Sequence, residues 1–303
     1  MKKLARVLCA AAPALSAAFF TEELYAYVFL RRGSPLLARF LDKKGHEEAY
    51  YIARDSAAAR LRLAPCERWE LRSARGERLQ GFYYPTGAQG RRVAFLLHGY
   101  RSEHVETAGL YYDYYASRGF DLFCCDHAAH GESEGSVIGF DLYESEDCLR
   151  WLDELIARFG PETQIVLHGF SMGAATVMKM SARCPENVRF LVEDSGFLDA
   201  RRQLRGQLGA AFAPLTALHR LLAFDLAETD VRASLTQSRI PLLVVHGMQD
   251  SSVPFDNAPE IYALYTGEKD SLFSEKARHI ETMWCERGAY EEKLDGMIRR
   301  YVR

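Results

Sequence analysis

The stretch QIVLHGFSMGAATVMKMSARC, residues 164–184, decides the fold and contains the first chemical clue. Its apolar start predicts a strand, and the small and apolar residues of Ser171–Cys184 predict a helix. Gly169 and Gly173 flank the serine in the pattern G-x-S-x-G, which is typical of a sharp turn between a strand and a helix. Such a turn lifts the serine hydroxyl clear of the backbone, beside the positive end of the helix. We therefore predict that Ser171 is a nucleophile.

The same alternation of strands and helices extends on both sides of this stretch. Continuous apolar runs are typical of strands buried on both faces of a parallel sheet. We expect the first two strands to form an antiparallel edge, because the tight turn Ala74-Arg75-Gly76 joins them. The fold class is therefore α/β, with a mostly parallel sheet, helices on both faces and active-site residues after the carboxyl ends of strands. The predicted strands are Glu67–Ser73, Arg78–Tyr84, Arg92–His98, Phe120–Cys125, Gln164–His168, Val188–Val192, Pro241–His246 and Asp270–Phe273. The predicted helices are Glu103–Ser117, Leu142–Phe159, Ser171–Cys184, Asn257–Thr266 and Ala289–Val302.

Length and composition predict one large globular domain. The chain has 303 residues, of which 48% are hydrophobic and 26% charged, and this balance argues against disorder. Its formal net charge of −3 offers no basic surplus for nucleic acid. We expect an N-terminal hydrophobic segment and helical lead-in over residues 1–65, and a catalytic domain over residues 66–303. Apolar side chains at helical spacing predict a cap insertion over about residues 197–238.

The N-terminus carries two apolar patches. Basic residues precede an uncharged run over Val7–Thr21, and a second patch covers Leu24–Leu30. The first run is shorter than the roughly 20 apolar residues that a membrane span needs. Three interpretations stay open: a membrane anchor or membrane-associating helix, a helix packed on the catalytic domain, and a cleaved signal peptide. The corresponding locations are a membrane surface, the cytoplasm or, as the less favoured option, the outside of the cell.

The cysteines show no metal-binding or redox pattern. Their number is odd, and no spacing matches a zinc site or a C-x-x-C pair. Several lie in apolar runs, where a free cysteine behaves as a small hydrophobic residue. We expect them to be mostly reduced and structural, which favours a reducing compartment. The seven are Cys9, Cys66, Cys124, Cys125, Cys148, Cys184 and Cys285.

A serine nucleophile needs a base, since its hydroxyl attacks poorly at neutral pH. Three of the nine histidines follow the serine in the chain. His219 lies in the predicted cap, and His246 closes a strand. His279 lies on a loop between the last strand and the last helix, so it is the predicted base.

The acid that orients this histidine is expected on a loop after a strand. Asp250 follows the strand Pro241–His246, and Asp194 follows Val188–Val192 as a rival. We favour Asp250.

Two backbone N–H groups are expected to stabilise the charge that develops on the substrate oxygen. The N–H of Met172 follows the nucleophile directly, and the N–H of Tyr100 follows the strand that ends in His98-Gly99. We predict these two groups as the oxyanion hole. The side chain of Tyr100 is also a candidate to line the substrate pocket.

The segment DHAAHGES, residues 126–133, combines two histidines with two acids. A metal site is one interpretation of that combination. We prefer a loop that forms hydrogen bonds across the mouth of the sheet, because the segment follows a strand and contains glycine. We predict no metal and no cofactor.

Several motifs together give the chain a family resemblance. They are HGYRS at 98–102, DHAAHGESEG at 126–135, GFSMG at 169–173, EDSGF at 193–197, IPLLVVHGMQDSSVP at 240–254 and ARHIETM at 277–283. With these motifs, over about Cys66–Arg303, the chain resembles α/β-hydrolases of the bacterial group similar to S33-type serine aminopeptidases and prolyl-oligopeptidase-like hydrolases. It departs from the family at His127-Ala128-Ala129, where the family often has an arginine before the His-Gly pair.

The resemblance implies a catalytic triad, an oxyanion hole and a cap after the strand that ends near Glu193. The implied residues are Ser171, Asp250 and His279 for the triad, and Tyr100 and Met172 for the oxyanion hole.

These residues predict acyl transfer to water on a small-molecule acyl substrate. The apolar side chains of the cap favour a carboxylic ester, while amides, peptides and thioesters are served by the same machinery. A function of another class is a catalytically idle, membrane-associated scaffold, and the complete set of catalytic residues argues against it. The oligomeric state is not predicted.

Overall fold

A computed structural model of the chain describes residues 18–41 and 46–303. The strands are β1 Glu67–Arg72, β2 Arg78–Tyr84, β3 Arg92–Leu97, β4 Asp121–Asp126, β5 Gln164–Phe170, β6 Val188–Asp194, β7 Leu242–Gly247 and β8 Lys269–Ser274. They form one eight-stranded sheet in the order β1-β2-β4-β3-β5-β6-β7-β8. β2 pairs antiparallel with both β1 and β4, and all other neighbours are parallel. The predicted α/β fold, with a mostly parallel sheet and an antiparallel edge, is confirmed.

Helices cover both faces of this sheet. They are α1 (residues 18–29), α2 Pro35–Leu41, α3 Glu48–Leu63, α4 His104–Ser117, α5 Leu142–Phe159, α6 Met172–Met180, α7 Ala200–Leu208, α8 Phe212–Leu222, α9 Arg232–Gln237, α10 Asn257–Leu264, α11 Thr282–Cys285 and α12 Arg287–Tyr301. Helices α5, α6, α9 and α10 share a core with one face, and α3, α4 and α12 share a core with the other. Side chains alternate between these cores along each strand, so Cys124 joins the second core and its neighbour Cys125 the first.

The central strands extend further than their apolar runs predict. β5 and β6 each continue two residues beyond the prediction, to Phe170 and Asp194, which pair with each other in the parallel ladder. Backbone hydrogen bonds thus continue the pairing of β5 and β6 to the polar residues Glu193 and Asp194 at the end of β6. The predicted helix Ser171–Cys184 is shorter in the structure, because α6 ends at Met180 and a 3₁₀ turn follows over Ser181–Arg183.

The N-terminal helix α1 packs against the rest of the molecule. Tyr25, Val28 and Phe29 are buried in a third core with side chains from α7 and α8. Residues 18–29 therefore form a packed helix, which is one of the three interpretations of the N-terminus. Residues 7–17 of the first apolar run, and Cys9, lie outside the described residues.

The chain between β6 and β7 contains α7, α8 and α9, in the region of the predicted cap. The division of the chain into domains stays a prediction. Over residues 18–41 and 46–303 no single helix is long and apolar enough to cross a membrane. The two helical segments Ala200–Leu222 and Leu226–Gln237, which are bent against each other, could together cross a membrane by length and composition only.

Candidate active site

Ser171 lies at a strained turn between β5 and α6. Its φ is 55° and its ψ −116°, a conformation that residues with a Cβ rarely adopt. The flanking glycines allow this turn, because a side chain at either position would collide with neighbouring backbone. A Cβ on Gly169 would lie 2.2 Å from the carbonyl oxygen of Gly173, and a Cβ on Gly173 would lie 2.1 Å from that of Leu97. Both contacts are with backbone that cannot move aside, so only glycine is compatible with the close approach of helix and strands.

His279 and Asp250 form a short polar contact at this edge. Nδ1 of His279 lies 2.6 Å from Oδ2 of Asp250, although the residues are 29 positions apart. The other oxygen, Oδ1, accepts the backbone N–H groups of Ser252 and Val253, both at 2.8 Å. The carboxylate is thereby held in one orientation. Because its Nδ1 contacts Asp250, the imidazole keeps Nε2 for another partner.

The electrostatics of Asp250 favour its charged form. Burial alone raises the pKa of this carboxyl, but His279 and hydrogen bonds from both His246 and His279 outweigh it and hold the pKa well below its ordinary value. His246 also contacts the backbone, with Nε2 3.0 Å from the carbonyl oxygen of Val253. Asp250 is therefore a carboxylate at neutral pH.

Asp194, the rival acid, has different partners. Its Oδ2 accepts the hydroxyl of Tyr290 at 2.8 Å, and its Oδ1 accepts that of Ser195 at 2.9 Å. Burial raises the pKa of this fully buried carboxyl. The structure brings His279 to Asp250 and leaves Asp194 among hydroxyl groups.

Ser195 joins the serine turn to the histidine loop. Its Oγ accepts the N–H of Ile280 at 3.1 Å, and the carbonyl of its neighbour Asp194 accepts the N–H of Ser171 at 2.8 Å. Ser195 itself has a positive φ of 60°. Our sequence analysis did not single out this residue, although its position directly after β6 in the EDSGF motif was the available signal.

The loop after β3 lies beside the serine. A Cβ on Gly99 would be 3.2 Å from Cβ and 3.7 Å from Oγ of Ser171. The predicted oxyanion donors flank this contact, since Tyr100 follows Gly99 and the buried Met172 begins α6. The loop after β3 and the start of α6 thus both lie next to Ser171, and the oxyanion hole stays a prediction.

The side chain of Tyr100 points toward the N-terminal helix. Its hydroxyl donates to the carbonyl oxygens of Tyr27 and Val28, at 3.0 and 2.8 Å. Arg101 donates to the carbonyl oxygens of Ala26, Tyr27 and Leu30, at 3.2, 2.6 and 2.8 Å. The last carbonyls of a helix lack partners within the helix, and a cation is favourable there. Our sequence analysis missed this contact, because no local pattern says what covers the end of α1.

The segment 126–133 forms hydrogen bonds across the edge of the sheet. Asp126 accepts the backbone N–H of His104 at 3.0 Å and that of Glu132 at 2.8 Å. His130 accepts the backbone N–H of Arg101 at 3.1 Å, and burial lowers the pKa of its imidazole to about 3. This segment therefore supports the loop beside Ser171.

His219 is a buried residue of the interface between α1 and α8. Its Nδ1 lies 3.1 Å from the hydroxyl of Tyr25, and its ring stacks on Phe29 with centroids 4.0 Å apart. Burial lowers the pKa of this imidazole to about 4. His219 is thus engaged away from Asp250. Of the two histidines that do contact this carboxylate, His279 is the closer, at 2.6 Å against 3.4 Å for His246.

Comparisons with known proteins agree with this fold. Residues 88–223 match the model of a family described as serine aminopeptidase, S33. The chain is similar to protein YqkD of Bacillus subtilis strain 168, with 25% identity over 74% of this chain and 78% of the relative. Among solved structures it is similar to the Pyrococcus furiosus esterase Pf2001, with a TM-score of 0.64, 18% identity and coverage of 80% of this chain and 93% of the esterase. Acetyl xylan esterase 1 from a Thermoanaerobacterium species gives a TM-score of 0.59 and 16% identity, over 85% of this chain and 95% of that protein.

Proposed function

We propose that the chain is an α/β-hydrolase, a serine hydrolase that cleaves carboxylic esters through Ser171, His279 and Asp250. The family match over residues 88–223 and the fold shared with solved esterases support the proposal. The observation that carries the proposal is the 2.6 Å contact between His279 and Asp250 on the sheet edge that also bears the strained serine. A structural ion pair does not account for a strained serine on the same edge of the sheet, whereas a Ser-His-Asp triad accounts for both.

In the proposed reaction the hydroxyl oxygen of Ser171 attacks the ester carbonyl. Nε2 of His279 takes the hydroxyl proton and passes it to the leaving alcohol, while Asp250 stabilises the imidazolium through Nδ1. The oxygen of the tetrahedral intermediate accepts the N–H groups of Met172 and Tyr100. Water then attacks the acyl-enzyme, with His279 again as the base, and releases the acid.

An ester with an apolar group is the substrate we favour. Met172, Phe197 and Val253 from the sheet edge share one apolar core with Phe212 and Leu215 of α8. This apolar surrounding suits a hydrocarbon group better than a charged one. Esterases are also among the structural neighbours. The description of the matching family makes a peptide bond the second candidate.

A membrane surface is the partner we propose for the N-terminal segment. Phe19 and Phe20 lie near the end of the apolar run Val7–Thr21. Their side chains are each 56% exposed at the start of the described helix. Exposed aromatic residues next to an apolar run favour the boundary of a bilayer. The test compares membrane and soluble fractions of the full chain with those of a chain lacking residues 1–17. An unchanged distribution would contradict the proposal.

A chain-length series of p-nitrophenyl esters, with peptide and acyl-CoA substrates alongside, tests the reaction. We expect ester turnover by the wild type and none above background by Ser171→Ala. A fluorophosphonate probe should label the wild type and not the variant. An unlabelled wild type, under conditions that label a control hydrolase, would favour the idle scaffold instead.

A further inference from the structure

We propose that Cys125, His127 and Cys148 form a buried site for a thiolate-binding d¹⁰ metal ion, Zn²⁺ or Cu⁺. One ligand atom from each residue lies within 4.8 Å of the other two. Among residues 18–41 and 46–303, no other group of three histidine, cysteine or acidic side chains has its ligand atoms this close together. The proposal is independent of the ester-cleaving reaction.

His127 supplies the observation that points to a ligand. Its side chain is 2% exposed, and neither Nδ1 nor Nε2 has a hydrogen-bond partner. A buried polar group without a partner destabilises the folded protein. Buried histidines elsewhere in the described chain, such as His168 and His219, have hydroxyl partners. A metal ion bound at one nitrogen would remove part of this cost.

The fold brings the three residues together from separate elements. Cys125 is the penultimate residue of β4, and His127 follows the strand directly. Cys148 lies on α5, in the same core as Cys125. Because side chains alternate along a strand, Cys125 faces α5 while Cys124 faces the opposite core. No short motif results, so cysteine spacing alone gave no sign of the site.

The donor set selects the class of ion. Two thiolates and an imidazole favour Zn²⁺ or Cu⁺ over Mg²⁺ and Ca²⁺, which prefer oxygen ligands. When Zn²⁺ binds, two S–H bonds lose their protons, two Zn–S bonds and one Zn–N bond form, and the site becomes electrically neutral. When Cu⁺ binds, one S–H bond loses its proton and the other cysteine stays a neutral thiol, so the site is again neutral. No electron transfer is required. Neutrality matters here, since Cys125 and Cys148 are 1% and 0% exposed and an uncompensated charge would be costly.

Metal binding would stabilise the start of the loop that follows β4. The backbone N–H of His127 donates to Nε2 of His98 at 3.0 Å, and the two rings are 4.4 Å apart. An ion on His127 would therefore stabilise both the contact between β4 and α5 and the contact with His98. Because the ligands are fully buried, we expect loading to accompany folding rather than to follow it.

The test uses the full chain, expressed in medium supplemented with zinc, copper or cobalt and purified under reducing conditions. Metal content is measured by inductively coupled plasma mass spectrometry. We expect about one zinc or copper ion per chain in the wild type. Comparing the zinc-supplemented with the copper-supplemented protein shows which of the two ions the site prefers. Cys148→Ser and His127→Ala should lose most of the metal, and their melting temperatures should fall. Cys124→Ser is the matched control, a buried neighbour on the other face of β4, and it should keep the metal.

The cobalt-loaded wild type provides a readout that does not depend on variants that fold. Thiolate ligation gives sulfur-to-cobalt charge-transfer absorption in the near ultraviolet. A wild type with only trace metal under every supplement would overturn the proposal. So would metal retained by both Cys148→Ser and His127→Ala.

Discussion

Arg101 donates a hydrogen bond of 2.6 Å to the carbonyl oxygen of Tyr27 and so joins the loop beside the nucleophile to the end of α1. The same loop carries Gly99, whose backbone faces Ser171, and Tyr100, whose N–H is the proposed oxyanion donor. The N-terminal helix therefore supports the loop that lies beside Ser171. The four predictions below separate this support from the chemistry itself.

Arg101→Met should lower kcat by about tenfold, equivalent to about 1.4 kcal/mol, since the loop loses two hydrogen bonds to α1 and one to Leu30, the residue after it. KM should change less, because the guanidinium faces the helix rather than the substrate. Steady-state kinetics on the preferred ester measure both constants. Arg158→Met, on the surface of α5, is the control. If Arg101→Met lowers only the melting temperature, its role is structural.

Asp250→Asn should lower kcat by about 10⁴-fold, because the amide can no longer stabilise the imidazolium and favours the wrong tautomer. Asp194→Asn should keep kcat within about tenfold of the wild type, since this carboxyl contacts hydroxyl groups and not His279. Circular dichroism confirms that both variants fold. The opposite ranking of the two variants would assign the acid to Asp194.

The stability of the wild type should fall as the pH drops from about 6.5 to about 4, in part through His219. Burial lowers the pKa of its imidazole from 6.5 to about 4, so the unfolded chain binds a proton in this window before the folded chain does. Stability therefore rises with pH between these two values. His219→Phe, which keeps the stacking on Phe29, should show a shallower slope of unfolding free energy against pH. Equal slopes in urea titrations at several pH values would contradict this assignment.

Removing α1 should cost much more than removing the residues before it. Tyr25, Val28 and Phe29 are buried, and each contributes about 1.5–3 kcal/mol through burial of apolar surface. A chain that lacks residues 1–32 also loses every carbonyl that Tyr100 and Arg101 contact. We expect it to melt well below the wild type and to have little activity, while a chain lacking residues 1–17 keeps both. Thermal unfolding and ester turnover measure the difference, and equal behaviour of the two deletions would contradict the supporting role of α1.

Local rules made the fold and the serine predictable. The period of apolar residues indicated most strands and helices, and only their ends shifted, because ladder hydrogen bonds continue through polar residues such as Asp194. The turn at Ser171 was predictable because glycine on each side is a steric requirement of neighbouring atoms. Chain order left three histidines, of which His279 lies on a loop after the last strand, and position after a strand left two aspartates, Asp194 and Asp250.

The sequence by itself determined the strands, the serine turn and the short list of partners, since these follow from the local period of apolar residues and from the positions of glycines and loops. Only the tertiary structure decided that Asp250, rather than Asp194, contacts His279, because that distance depends on how two separate loops pack. The tertiary structure alone also showed that Tyr100 and Arg101 contact α1, and that Cys125 and His127 lie close to Cys148. These contacts bring together residues far apart in sequence, where no periodicity or motif relates one to the other.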